Sequence, residues 1–170
     1  MEVDLTYSKY KVIDKITKKK YIAFNINNQK FAIDIDNVLE AIETADITHI
    51  IHTPEYIAGV INLRGNIIAI IDLQELLMLP PIEKNNYALL NKIIIVKEEK
   101  KIFGLLVDEI IDIIEKEDSA LISLPVSVTG KLAEFLQGLL IIDENEKEPI
   151  CVINTKNIVL SEEIRKFDYD

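Results

Sequence analysis

The sequence predicts an all-β protein assembled from many short strands. Three observations carry that class. About a fifth of the 170 residues are isoleucine, a β-branched residue suited to a pleated, half-buried surface. Short, regular apolar segments are separated by polar clusters typical of turns. The helical signals are few and short, without the strand–helix–strand rhythm of a parallel sheet. With 49% apolar and 28% charged residues the balance is that of a globular chain with a real core.

The elements follow in order. "YIAFNINNQKFAIDID" reads as a hairpin: Tyr21, Ala23 and Asn25 alternate with Ile22, Phe24 and Ile26, and Asn27-Asn28 tolerates the positive φ of a tight turn. "VLEAIE" and "ITHIIH" are further strand candidates. Thr53-Pro54 reads as a helix cap with proline at the first position, opening one short turn. "IAGVINLR" and "NIIAIIDL" form a second hairpin, with Gly65-Asn66 as a two-residue II′ turn. That register pairs Arg64 with Ile67 and Leu63 with Ile68. Asp72 and Glu75 have capping-box spacing before a short helix that ends by Pro80-Pro81. "PPIEKNNYALLN" is a loop and the expected hinge. "NKIIIVKEEKKIFGLLVDEI" is a third hairpin. In "IIDIIEK" the spacing of Ile110, Ile111 and Ile114 slightly favours a helix face. "EFLQGLLIID" and "PICVINT" form a fourth hairpin, followed by a short helix in "TKNIVLSEEIRKFDYD". The strands fall before and after Pro80-Pro81, which predicts two small barrels, one from each batch.

Charge excludes several functions. The net charge is −10, which disfavours nucleic-acid and anionic-membrane binding, since both need clustered Lys and Arg. The first 20 residues are an exception. Six lysines there face three acids, a net of +3 that leaves −13 on the remainder. Residues 1–19 are therefore expected to be a basic, flexible extension, residues 20–160 the folded domain, and residues 161–170 a charged tail. No apolar run approaches the ~20 residues of a membrane span, and no secretory leader is visible, so a cytoplasmic protein is expected.

Chemistry is sparse. His49 and His52 are the only histidines, and three residues apart in an extended segment they point to opposite faces. A metal pair is not expected. Cys151 is the only cysteine and sits in a buried-looking strand. Asp34 and Asp36 fit a turn better than an acid pair, and the cap explains Asp72. No phosphate loop, dinucleotide fingerprint or nucleophile elbow is present. The residues favour a binding module over an enzyme, with no cofactor and no metal.

One stretch is specific. "TPEYIAGVINLRGNIIAIIDLQELL" resembles the CheW-like family of chemotaxis coupling proteins: a Thr-Pro segment, Gly-Val-x-Asn-Leu-Arg-Gly, an apolar run and Ile-Asp-Leu. The similarity continues through "IIIVKEEKKIFGLLVDEI" and "FLQGLLIIDENEKEPICVINTKNIV", about Lys20 to Leu160. It implies two packed five-stranded SH3-like β-barrels, and makes "DEIIDIIEK" a strand. It also implies a non-catalytic adaptor. The implied partners are the regulatory domain of a CheA-type histidine kinase and the cytoplasmic hairpin tips of chemoreceptors. The protein would be recruited to receptor arrays at the inner face of the membrane. The family's proline-rich loop is reduced to Pro125 in "LISLPVSV".

The hairpin alternation puts Leu63, Ile61, Ile68 and Ile70 on the barrel-interior face. Val60, Asn62, Arg64, Ile67, Ala69 and Ile71 form a mixed outer face, the profile of a surface covered by another body. The resemblance places Glu40 opposite Arg64. Val38, Glu40, Asn62 and Arg64 are thus the expected receptor-facing residues; the alternative is that the arginine only braces the surface. Gly104, Val107, Ser123, Pro125 and Val126 are the expected kinase-facing residues. The competing readings are a small-molecule-binding or catalytic β-barrel, and a CheW-like scaffold for a signalling kinase outside chemotaxis.

Overall fold

A computed structural model of the chain describes residues 16–43, 45–81, 92–143, 145 and 148–166. Most of the basic extension, the expected hinge over 82–91 and the end of the tail lie outside the described residues.

Strand β1 (Lys18–Ile26) turns into β2 (Gln29–Asp34) through Asn27 and Asn28, at φ 51° and 62°. Two consecutive left-handed residues make a turn whose twist matches the strands. The sheet begins at Lys18, two residues before the expected domain boundary. The Asp34 carboxylate accepts the Asp36 N–H at 3.0 Å and starts a single 3-10 turn, Ile35–Asn37. This is the turn role expected of the two acids. β3 (Val38–Ile42) follows.

"ITHIIH" is not a strand. Among its residues only Thr48 makes a bridge, exchanging both backbone hydrogen bonds with Val60 at 2.8 and 2.9 Å. The short turn expected after Thr53-Pro54 is present, but Thr53 does not cap it. The Thr53 hydroxyl donates back to the Ile50 carbonyl, and the Ile57 N–H closes a turn on Pro54.

β4 (Ile57–Leu63) and β5 (Asn66–Asp72) form the second hairpin. Its turn residues are Arg64 and Gly65, at φ 52° and 87°, not Gly65-Asn66. Leu63 pairs with Asn66, and Ile61 with Ile68. The register is offset from the expected one by an even number of residues, so every side chain keeps its predicted face. Asp72 caps α1 (Leu73–Leu76), accepting from the N–H groups of Gln74 and Glu75. Asp72→Ala removes that cap and is expected to cost about 1 kcal/mol, read as a lowered urea midpoint at constant m-value.

β6 (Lys92–Glu98) and β7 (Lys101–Val107) are the third hairpin. β8 (Glu109–Glu117) is a strand, as the resemblance implied and the isoleucine spacing did not. A 3-10 turn and the two-residue β9 (Leu121–Ile122) lead to α2 (Gly130–Phe135), a helix the sequence did not announce. β10 (Leu136–Leu140) and β11 (Ile150–Ile153) are the fourth hairpin. α3 (Thr155–Leu160) and α4 (Glu162–Arg165) close the described chain, so the expected tail starts with a buried Ser161 and a helical turn.

Two sheets result, in the orders β8-β1-β2-β11-β10-β9 and β3-β6-β7-β5-β4. The barrels are not the two halves of the chain. The first joins both ends of it, through a parallel contact of β2 with β11, and the second holds the middle. Each encloses its own core. Tyr21, Ala32, Leu140, Ile150 and Val152 fill the first. Ile61, Ile68, Ile70, Ile93 and Ile95 fill the second. A third and larger core lies between the sheets, where Phe24, Phe31 and Ile33 meet Ile71, Ile94 and Leu105. Burial of apolar surface there holds the barrels together, with polar contacts at its margin such as the Thr155 hydroxyl donating to the Glu98 carboxylate at 2.6 Å.

Candidate functional site

The tip of the β4–β5 hairpin carries the first site. Arg64 Nη2 donates to Glu40 Oε2 at 3.0 Å, with 77% of the arginine side chain and 30% of the glutamate side chain exposed. Glu40 pairs with Ile95 and Ile42 with Ile93, so Glu40 stands on the barrel-interior side of β3, at its rim. The ion pair therefore spans from β3 to the hairpin tip, on the opposite edge of the sheet. At this exposure it contributes only about 0–1 kcal/mol. Its guanidinium remains largely available to solvent or to a partner.

Asn62 has a different task. Its Oδ1 accepts the Gly65 N–H at 2.9 Å, which closes the turn and fixes Arg64 in its left-handed conformation. The expected outer face is split. Ile71 is covered by the other sheet, whereas Ile67, near the tip, is 67% exposed. Leu39 on β3 is also exposed, while Val38 is half-buried against the core between the sheets. The structure thus brings Glu40 and Arg64 together, sets Asn62 behind them, and leaves Val38 mostly inward.

The second site is divided. Gly104 and Val107 offer no surface. A Cβ on Gly104 would lie 2.4 Å from the Ile70 Cδ1, inside the second barrel, and Val107 is 2% exposed. Their expected role as contacts is corrected: Gly104 faces the interior of the second barrel and Val107 the core between the sheets, so both can only support a surface. Ser123, Pro125 and Val126 are exposed, and Val126 is 99% so. Leu124 between them packs into the inter-sheet core, and the Val128 N–H bonds the Pro125 carbonyl at 3.0 Å. One inward anchor and one turn present Pro125 and Val126 outward.

A third feature escaped the sequence. Lys131 of α2 forms a short ion pair with Glu163 of α4, and a second at 2.9 Å with Glu134. Its ammonium also lies 5.6 Å over the Phe135 ring. Glu163 and Glu134 raise the Lys131 pKa, and the Lys131 ammonium lowers that of Glu163. The lowered carboxyl adds stability that is lost as pH falls through its folded value, and the raised ammonium adds stability that is lost as pH rises through its own. The pair is complete across the neutral range. The Tyr56 hydroxyl donates to the Glu163 carbonyl at 3.1 Å, which ties α4 to the base of β4. A lysine in the first turn of a helix, against the dipole, was the one available signal.

His49 and His52 are exposed, and no cluster able to hold a metal occurs among the described residues. Cys151 is half-buried and its thiol is pushed up by burial.

Comparison with known proteins agrees with this geometry. Residues 20–163 match the family model described as CheW-like domain. The chain is 35% identical over 135 residues to the "Probable chemotaxis protein CheW" of Rhizobium etli, covering 79% of this chain and 83% of that one. It is 34% identical over 112 residues to the chemotaxis protein CheW of Bacillus subtilis, covering 66% and 70%. The crystal structure of the scaffolding protein TtCheW from Thermoanaerobacter tengcongensis superposes with a TM-score of 0.70 at 31% identity, over 81% of this chain and 90% of that one. Two packed β-barrels, an intact Gly-Val-x-Asn-Leu-Arg-Gly hairpin and a domain-wide match place the chain in the CheW-like family of chemotaxis scaffold proteins.

Proposed function

We propose that the protein is a non-catalytic adaptor that couples the cytoplasmic hairpin tips of chemoreceptors to the regulatory domain of a CheA-type histidine kinase. The observation that carries this reading is the Arg64–Glu40 pair, exposed at the tip of the family's own hairpin, with Ile67 of that hairpin and Leu39 of β3 also uncovered. Charged groups over apolar anchors suit a modest protein interface, in which a few central residues carry most of the affinity. In this reading Arg64 and Glu40 face the receptor, with Asn62 and Val38 behind them. Ser123, Pro125 and Val126 face the kinase. The folded domain runs from Lys18 through α4 rather than from 20 to 160, the basic extension precedes it, and the protein works in the cytoplasm at receptor arrays. No helix among the described residues is long and apolar enough to cross a membrane.

The filled barrel interiors disfavour a small-molecule barrel, which needs a concave site with convergent polar groups. The test is co-sedimentation of the protein with receptor cytoplasmic fragments and the kinase regulatory domain, separately and together. Binding to both, in one ternary complex, supports the adaptor. Binding to the kinase alone would favour a scaffold outside chemotaxis, and binding to neither removes the reading. Val126→Glu places a charge at the most exposed apolar position of the loop. It is expected to weaken kinase-domain binding at least tenfold by titration calorimetry, with receptor binding unchanged.

A further inference from the structure

The exposed loop Ser123–Thr129 runs straight into α2, and α2 is poorly equipped to hold its own start. It has six residues, a length that is unstable without tertiary support. Thr129 stands at its N-cap but makes no side-chain cap hydrogen bond. Gly130 follows at φ 71°, with open space where a Cβ would be, and the first inward side chain is the partly buried Leu132. Lys131 then places a cation in the first turn, where the helix dipole disfavours it. A chain that omits the cap and puts the wrong charge there must fasten the turn in another way.

The fastening is Glu163. It takes the Lys131 ammonium from α4, a different element 32 positions along the chain. Glu134, one turn along α2, shares the ammonium and holds it along the helix. Glu163 is itself fixed. Its helix is capped by Ser161, whose hydroxyl accepts the Ile164 N–H and donates to the Ile158 carbonyl, and Tyr56 bonds its backbone carbonyl. The far end of α2 is fixed by Phe135, which is fully buried. The loop therefore has two anchors: Leu124 near its start, in the inter-sheet core, and Lys131 just past its end.

We propose that Lys131 and Glu163 are positioning residues for the kinase-facing loop: their pairing pins the start of α2 and so presents Pro125 and Val126 in one conformation. The inference rests on the adaptor reading of this loop. Neither residue touches the partner. Each acts by sparing the partner the cost of ordering the loop on binding.

The experiment combines hydrogen exchange on the free protein with calorimetric titration of the kinase regulatory domain. Lys131→Met keeps the aliphatic stem over Phe135 and removes the charge. It is expected to speed amide exchange over Val126–Lys131 at least fivefold and to weaken kinase binding three- to tenfold. Receptor-fragment binding and the thermal midpoint should stay near wild type. Glu163→Gln should behave alike. Lys131→Glu combined with Glu163→Lys, made together with Glu134→Gln so that the new carboxylate meets no like charge, restores an ion pair of opposite sense and should recover much of both losses, which a generic surface-charge effect would not. If Lys131→Met leaves loop exchange and kinase affinity unchanged while Val126→Glu abolishes binding, the positioning role is overturned and the kinase-facing loop stands. If Val126→Glu also leaves binding unchanged, the loop assignment itself fails, and this inference with it.

Discussion

Gly59→Ala is expected to destabilise the protein by roughly 2–6 kcal/mol, the sum of backbone strain and overpacking at about 1–3 kcal/mol each. Gly59 has φ 144°, a conformation that side chains rarely adopt. A Cβ there would stand 2.3 Å from the Thr48 carbonyl oxygen and 2.9 Å from its carbon. That oxygen accepts the Val60 N–H, one of the two bonds that bridge the return of the chain to β4. The clash thus falls on backbone, which cannot rotate away, and on the contact that brings the β3–β4 connection onto the barrel. Gly65→Ala is the control. It has φ 87° but nothing within 4 Å, so it suffers strain without collision and should cost about 1–2 kcal/mol. Urea midpoints compare the two. Equal losses would show that the close approach at Thr48 does not limit this position.

Arg64→Glu is expected to weaken receptor-fragment binding at least tenfold, about 1.4 kcal/mol, while stability changes by less than ~1 kcal/mol. The small stability effect follows from an ion pair that is mostly exposed. The larger binding effect follows from reversing a charge at the centre of the proposed surface, where like charges carry a penalty of several kcal/mol in order-of-magnitude terms. The exchanged pair, Arg64→Glu with Glu40→Arg, separates two meanings of the bridge. It restores the intramolecular contact. If the arginine itself meets the receptor, binding stays weak. If it only braces the hairpin, binding returns to near wild type. Surface plasmon resonance on wild type, the single variant and the exchanged pair decides between them.

Much of the fold was legible because its signals are local. Asn27-Asn28, the Asp72 cap and the alternation in β4 and β5 each depend on a few adjacent residues, and each appears as read. The turn at Arg64 was misplaced by one residue because arginine rarely takes positive φ. The side chain of Asn62, two residues earlier, supplies the stabilising bond. β8 was ambiguous because its isoleucines serve two periods at once, and only pairing with β1 selects the strand. The barrels could not be divided correctly from order along the chain, since the parallel contact of β2 with β11 is set by tertiary packing. At the site, the face of Arg64 came from hairpin alternation, and Glu40 as its partner came from family likeness. Gly104 and Val107 were misjudged because a motif residue and an exposed residue look the same in sequence. Lys131–Glu163 joins positions too distant for any periodicity to connect.

The joining of both chain ends in one barrel governs how the molecule is made. The β1–β2 hairpin is synthesised first, yet Phe31 has no neighbour on its far side until Cys151 arrives, 120 positions later. On a ribosome the middle barrel can close while the outer one is still an isolated hairpin with open apolar faces. Such a hairpin is only marginally stable alone. Pairing over so long a separation is slow, because the loop-closure entropy is lost before the contacts form. The nascent protein should therefore depend on chaperones until β11 has emerged, and truncation before β11 should leave an insoluble product rather than a smaller adaptor.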